Sequence, residues 1–185
     1  MPVAERSVLA HDGPWTVEDL DLFDGVAQRV EIADGVLLMA PQPSRPHNFA
    51  AGELVAVLRA ARPAGLIVAT NDGLAYGASY RVPDVVVYRD EALHAPGYLA
   101  PTDVVLVAEV ASPSTVAQDR FAKHREYAAA GIAHYWLIEL EPVATLVAYA
   151  LHDGSYVELA TVRGDEPYDA VEPFPVRVTP NALLP

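Results

Sequence analysis

Apolar residues in this chain fall into short blocks whose spacing alternates between a helical period and a strand period. Thr16, with Asp19 three residues on, reads as a helix cap, and Val17, Leu20, Phe23 and Val26-Ala27 continue at helical spacing to about Gln28. Val30 and Ile32 then alternate up to Asp34-Gly35, after which Val36-Leu37-Leu38-Met39-Ala40 resumes, which predicts two strands joined by a tight hairpin. Pro41, Pro43 and Pro46 make an extended connection. From about His47 to Ala61, Phe49, Leu54, Val57 and Leu58 with alanines between them predict a second helix, closed before Pro63-Ala64-Gly65. Leu66–Ala69 is a short strand, Asn71-Asp72-Gly73 a turn, and Tyr80 to Tyr88 one further strand with Pro83 near its start.

Residues 89–103 mix charges with Pro96 and Gly97 and read as a connection, followed by an apolar strand over 104–110. Thr115 with Gln118 fits a second capping box, opening a helix that runs to Ala130 and stops at Gly131. His134–Ile138, Ala144–Tyr149 and Tyr156–Ala160 are strands, the last two joined by a hairpin at Asp153-Gly154. No repeat or flexible linker separates these elements. They predict an α/β (α+β) fold, a single domain over residues 1–185 with a recognisable core at about 16–160, built as one central mixed sheet flanked by helices.

Composition narrows the function. With 52% hydrophobic residues in 185, the chain has enough apolar surface for a core of its own. Without cysteine it has no disulfide framework, thiol nucleophile or cysteine zinc site. The start lacks a signal pattern and no apolar segment is long enough to span a bilayer, so no membrane partner and a cytoplasmic location are expected. A net charge of −13, with 25 acidic against 12 basic residues, opposes broad electrostatic attachment to DNA or an anionic membrane. Lysine occurs once, at Lys123.

Candidate chemistry begins at Glu109, an acid inside the run Val104-Val105-Leu106-Val107-Ala108-Glu109-Val110. An ionised group on a buried strand is costly unless it meets a cation, hydrogen bonds or a metal. Pairing strand 84–88 antiparallel with 104–110 sets Asp84 beside Glu109, and period-two alternation puts Glu109 on one face with Val105 and Val107. Two carboxylates next to strand carbonyls form an oxygen-rich site suited to Mg²⁺. The helix from Thr115 directs its N–H groups near the same place, where an anionic substrate is favoured. On that helix Asp119, Lys123 and Tyr127 recur every fourth residue, so Lys123 either pairs with Asp119 or leans toward the carboxylates.

Plainer readings stand beside these. Asp84 can be a strand-entry acid after Pro83, and Glu109 a buried acid paired with Arg81. His47, heading the second helix, either lines the cleft as a fourth catalytic candidate with Asp84, Glu109 and Lys123, or serves as a cap or surface residue. The other histidines show no metal-ligand spacing. Glu31, before the hairpin turn, either adds an acid to the site or is solvated as hairpin acids usually are, Tyr127 and Tyr135-Trp136 read as core aromatics, and Ser112, Ser114 and Thr115 as turn and cap residues without a nucleophile elbow.

The pair Pro83-Asp84, the block Glu109-Val110-Ala111-Ser112-Pro113-Ser114-Thr115, and Asp119, Lys123, Tyr127, Gly131 and Tyr135-Trp136 resemble the Uma-two family of restriction-endonuclease-like proteins in the PD-(D/E)XK nuclease superfamily. Val30–Gly35 and the segment from Pro41 to His47 resemble that family's opening hairpin and first helix. The resemblance runs from about residue 16 to the end. It implies a restriction endonuclease-like fold, metal ligation by Asp84, Glu109 and the Val110 carbonyl, and Mg²⁺ as cofactor with Mn²⁺ as a substitute. The superfamily's usual lysine position is Ala111 here, and Lys123 is the matching cation. The expectation is a metal-dependent DNA endonuclease, with a homodimer because cutting both strands takes two active sites. Its rivals are an inactive protein-binding or dimeric module of the same fold and a hydrolase of small phosphate esters.

Overall fold

A computed structural model describes residues 11–23, 29–40, 42–111 and 118–185, with backbone alone at 118–120. The first helix is a 3₁₀ segment, Val17–Phe23, and the remainder expected up to Gln28 lies outside the described residues. Its cap is as expected: Asp19 Oδ2 accepts from the Thr16 N–H at 2.8 Å and from Thr16 Oγ1 at 2.9 Å.

Strands β1 (Arg29–Ala33) and β2 (Val36–Ala40) form the predicted hairpin. Asp34 and Gly35 take positive φ of 48° and 77°, as a type I′ turn requires. Helix α1 (Arg45–Ala61) starts at the N-cap Ser44, whose side chain accepts from the His47 N–H, and Pro46 sits in the first turn where its missing donor costs nothing. Next come β3 (Leu66–Ala69), β4 (Leu74–Tyr76) and β5 (Ser79–Arg81). The strand expected from Tyr80 to Tyr88 is in fact two, because the chain leaves β5 at Val82-Pro83-Asp84 and re-enters as β6 (Val85–Arg89) in another sheet. Proline has no N–H for the ladder, and the Val82 N–H donates to the Glu31 side chain at 3.1 Å instead of to a strand.

Two main sheets therefore replace the single one expected. The smaller is antiparallel, in the order β2-β1-β5-β4. The larger adds β7 (Val104–Ala111), β8 (His134–Glu139), β9 (Thr145–His152) and β10 (Ser155–Arg163) in the order β10-β9-β8-β7-β6-β3, and only its β7–β8 pair is parallel. A ribbon of β11 (Tyr168–Ala170) and β12 (Val176–Val178) completes the set.

Strands β6 to β8 of the larger sheet are buried on both faces, which is why they read as apolar runs rather than as alternating patterns. One face packs Leu54 and Leu58 of α1 with Val85, Leu106, Ala108, Trp136 and Phe174. The other packs Val86, Val107, Tyr135 and Leu137 against Tyr127 and Leu74. Val105, expected on the Glu109 face, packs toward α1 instead. A bulge, where Val87 opposes Leu106 but Tyr88 opposes Val104, breaks the alternation there.

The helix expected from Thr115 begins outside the described residues. Its visible part is a π-helical turn, Gln118–Lys123, continuing as α2 (His124–Ala129) and closing at Gly131 with φ 84°.

Candidate active site

The interruption between β5 and β6 at Val82-Pro83-Asp84 places Asp84 at the entrance to β6. Val85 opposes Ala108 across the antiparallel β6–β7 pair, so the next step along the ladder sets Asp84 beside Glu109. Both carboxylates are buried, Asp84 at 6% and Glu109 at 1% exposure.

Asp84 is held from three sides. Arg29 Nη1 donates to its Oδ1 at 2.7 Å, while Oδ2 receives the Val110 N–H at 2.9 Å and lies 3.0 Å from His47 Nε2. Burial works against its ionisation, but the His47 hydrogen bond and the Arg29 charge prevail and hold it well below the usual carboxylate range. In His47 burial favours the neutral ring, and contact with Asp84 outweighs it to leave the imidazole above its ordinary pKa. His47 reaches Asp84 from the first turn of α1.

Glu109 has a separate set of partners. Lys123 Nζ donates to its Oε1 at 2.9 Å and the Tyr127 hydroxyl donates to the same atom at 2.8 Å. Lys123 thus leans toward the carboxylates, and the Asp119 side chain lies outside the described residues. Tyr127 is fully buried, so it is both a core aromatic, as expected, and a ligand of the acid. Burial together with the facing Glu109 and Glu31 pushes its hydroxyl pKa well up, so it stays a donor.

Two expectations need correction. Glu31 is not solvated but 6% exposed, because β5 pairs along β1 and closes the smaller sheet over it. Its Oε2 accepts from Arg81 Nη1 at 2.9 Å, and its Oε1 lies 3.8 Å from Lys123 Nζ and 3.5 Å from Arg29 Nε. Burial raises its pKa less than the charges of Lys123, Arg29 and Arg81 lower it. Arg81, weighed as the partner of Glu109, pairs instead with Glu31 and, through Nε at 2.8 Å and Nη2 at 2.7 Å, with both oxygens of Glu126.

The outcome is an alternating array of acids and bases, Asp84, Glu109 and Glu31 against Arg29, His47, Lys123 and Arg81. The sequence reading missed Arg29 and Glu126 here, and it gave Arg81 a different acid. Their signal is visible only afterwards: Arg29 is two residues before Glu31, and Arg81 three before Asp84, on strands whose pairing is not local.

A family model named Uma2 and described as "Putative restriction endonuclease" matches residues 17–182. The chain belongs to the Uma2 family. The same fold occurs in a crystal structure from Anabaena variabilis, titled as a putative nuclease belonging to DUF820. That protein is 21% identical to this one, with a TM-score of 0.67 over 92% of this chain and 97% of the other. A search of curated proteins gave no match. Within this Uma2 chain no described helix is long and apolar enough to cross a membrane.

The residues present fit a hard divalent cation by their chemistry. Among the described residues no three acidic or histidine side chains cluster as a ready metal site, so a cation held here would need a strand carbonyl as well. An extended residue presents its N–H and C=O to the same strand edge. The Val110 N–H points at Asp84, so its carbonyl faces the β6 edge as well. Two carboxylates and one carbonyl, all oxygen, suit Mg²⁺ or Mn²⁺ rather than a softer metal.

Proposed function

We propose that this Uma2 protein is a divalent-metal-dependent endonuclease that hydrolyses phosphodiester bonds in DNA. The observation that carries the reading is the placing of Asp84 and Glu109 side by side on β6 and β7, with Lys123 Nζ 2.9 Å from Glu109. Asp84, Glu109 and the Val110 carbonyl would hold Mg²⁺, with Mn²⁺ as a substitute. When bound, such an ion lowers the pKa of a water ligand and polarises a phosphate oxygen, effects worth several kcal/mol.

The protein's own groups have distinct tasks. Glu109 positions Lys123, whose ammonium faces the negative charge that grows on the phosphate. Tyr127 fixes the Glu109 carboxylate by donating to Oε1. His47 and Arg29 hold Asp84 ionised in its buried place, and both lie close enough to face an incoming phosphate once Asp84 turns to the cation. Glu31, 3.8 Å from Lys123, sets a second carboxylate beside that ammonium and helps to orient it.

One observation favours a second reading, a binding module of the same fold without catalysis. Asp84 and Glu109 each already meet a cation of this chain, and the net charge of −13 discourages duplex DNA. The test is cleavage of supercoiled plasmid and of single-stranded DNA with Mg²⁺ or Mn²⁺ by the wild type, Asp84→Ala and Glu109→Ala purified in parallel. Metal-dependent cutting lost in both variants supports the nuclease. Equal cutting by all three exposes a contaminant, and no cutting with any metal favours the binding module.

A further inference from the structure

Each of the two main sheets ends in two edge strands, and an open strand edge is a template for pairing with another chain. Three of these edges are guarded. On β3, Arg59 donates to the Val68 carbonyl through Nε at 3.1 Å and Nη2 at 2.9 Å, and Arg62 Nη1 donates to the Leu66 carbonyl. On β4, Leu99 bridges to the outer side, accepting from the Ala75 N–H at 3.0 Å and donating to the Gly73 carbonyl at 2.9 Å. On β10 a bulge shifts the register between Glu158 and Ala160, and the exposed Glu158 and Arg163 add charge. Among the described residues β2 has no such guard. Its sequence, Val36-Leu37-Leu38-Met39-Ala40, holds neither charge nor proline, and its register with β1 is unbroken. Val36 is 59% and Met39 44% exposed, on opposite faces of the strand.

The edge of β2 is complementary to itself. A two-residue hairpin closes on a hydrogen-bonded pair, here Ala33 with Val36, and bonded and non-bonded pairs alternate from there. Val36, Leu38 and Ala40 therefore turn their N–H and C=O toward β1, while Leu37 and Met39 turn theirs outward. A two-fold axis through Leu38 sets Leu37 of one copy opposite Met39 of the other, twice over, so every outward donor meets an outward acceptor. The same axis sets Val36 opposite Ala40 and Leu38 opposite Leu38, apolar against apolar on both faces. A chain of net charge −13 repels its own copy, and a strand that carries no charge is where two copies approach with least opposition.

We propose that β2 pairs antiparallel with β2 of a second copy, joining the two smaller sheets into one. The pairing is isologous, as a closed dimer requires. Glu31 stands opposite Leu38 in the hairpin, so the Glu31 positions of the two copies lie three strand spacings apart, about 14 Å, on the same face of the joined sheet. That brings both arrays of acids and bases to one side, at a separation close to the roughly 12 Å width of the DNA major groove. The use of this spacing for cutting two strands rests on the nuclease reading, whereas the pairing itself does not.

The test is sedimentation velocity of the full chain over a concentration series, together with cysteine cross-linking. Wild type should dimerise. Met39→Pro removes an outward N–H from each copy, leaves the β1 ladder in place, and should raise the dimer dissociation constant about tenfold or more. The chain has no cysteine of its own, so single cysteines report the register. Leu38→Cys sets two thiols in a non-bonded pair with Cα atoms about 4.5 Å apart, within disulfide reach, and should form a covalent dimer on oxidation by copper phenanthroline. Val36→Cys, four residues out of register with its own copy, should not. A monomer at every concentration, a dimer that a folded Met39→Pro leaves intact, or equal cross-linking of the two cysteine variants overturns the pairing. If Met39→Pro loses its circular dichroism, the cysteine variants decide alone. A β2 dimer that cuts no DNA keeps the pairing and removes the nuclease, and metal-dependent cutting by a monomer does the reverse.

Discussion

Lys123 Nζ donates to Glu109 Oε1 at 2.9 Å, and both side chains are almost wholly buried. Glu31 Oε1 lies 3.8 Å from the same ammonium. Breaking a buried pair from one side leaves an uncompensated charge, which costs about 3–5 kcal/mol. Glu109→Ala should therefore unfold at clearly lower urea concentration than wild type. Lys123→Met should cost less, and the double variant should recover part of the loss. A double-mutant cycle in urea gives the coupling energy, and additive losses would contradict a direct pair.

The same contact shows where a sequence is readable. The hairpins at Asp34-Gly35 and Asp153-Gly154 are legible because a type I′ turn is a local demand, met by positive φ at both residues of each pair. The meeting of Asp84 with Glu109 is legible too, since two consecutive antiparallel strands and one acid on each leave little choice of register. Glu31 is misread because burial is a tertiary property: nothing local announces that β5 returns to pair with β1. The division of the Tyr80–Tyr88 run was carried by a single residue, Pro83, whose two roles, strand entry and strand end, look alike in sequence. β4 is three residues long, below the length at which alternation declares itself, and β11 and β12 lie in a tail whose prolines mask a short ribbon.

Glu31 makes a prediction in acid. Its pKa is lowered in the folded protein because the charges of Lys123, Arg29 and Arg81 outweigh burial. A depressed carboxylate contributes stability that is fully present above its unfolded value, 4.5, and is lost as pH falls through the folded value. Glu31→Gln should thus lower stability near neutrality and flatten the decline below about pH 4.5. Urea midpoints measured from pH 7 downwards check this, and a parallel decline in both proteins would refute it.

Arg81 is 1% exposed and joins Glu31 to both oxygens of Glu126. A lysine supplies the charge but not the fork, so it cannot hold the two acids at once. Arg81→Lys should cost about 2–4 kcal/mol, on the scale of a one-sided break in a buried network. Thermal unfolding reads the loss. A change within experimental error would mean that Glu126, which is partly exposed, already has its needs met by water.

A cation bound as proposed would have to compete for Asp84, whose Oδ1 is held by Arg29 and whose Oδ2 is shared by His47 and the Val110 N–H. Removing the guanidinium frees Oδ1 and takes away a repelling charge at the same time. Mg²⁺ or Mn²⁺ should raise the melting temperature of the wild type, and at a hundredfold excess over Kd the gain is about 2.7 kcal/mol. Arg29→Gln should bind the ion more tightly than wild type even though its metal-free form is less stable. Asp84→Asn should show no metal-dependent rise. Isothermal titration calorimetry separates affinity from stability, and weaker binding by Arg29→Gln would mean that the arginine orients Asp84 for the metal rather than competing with it.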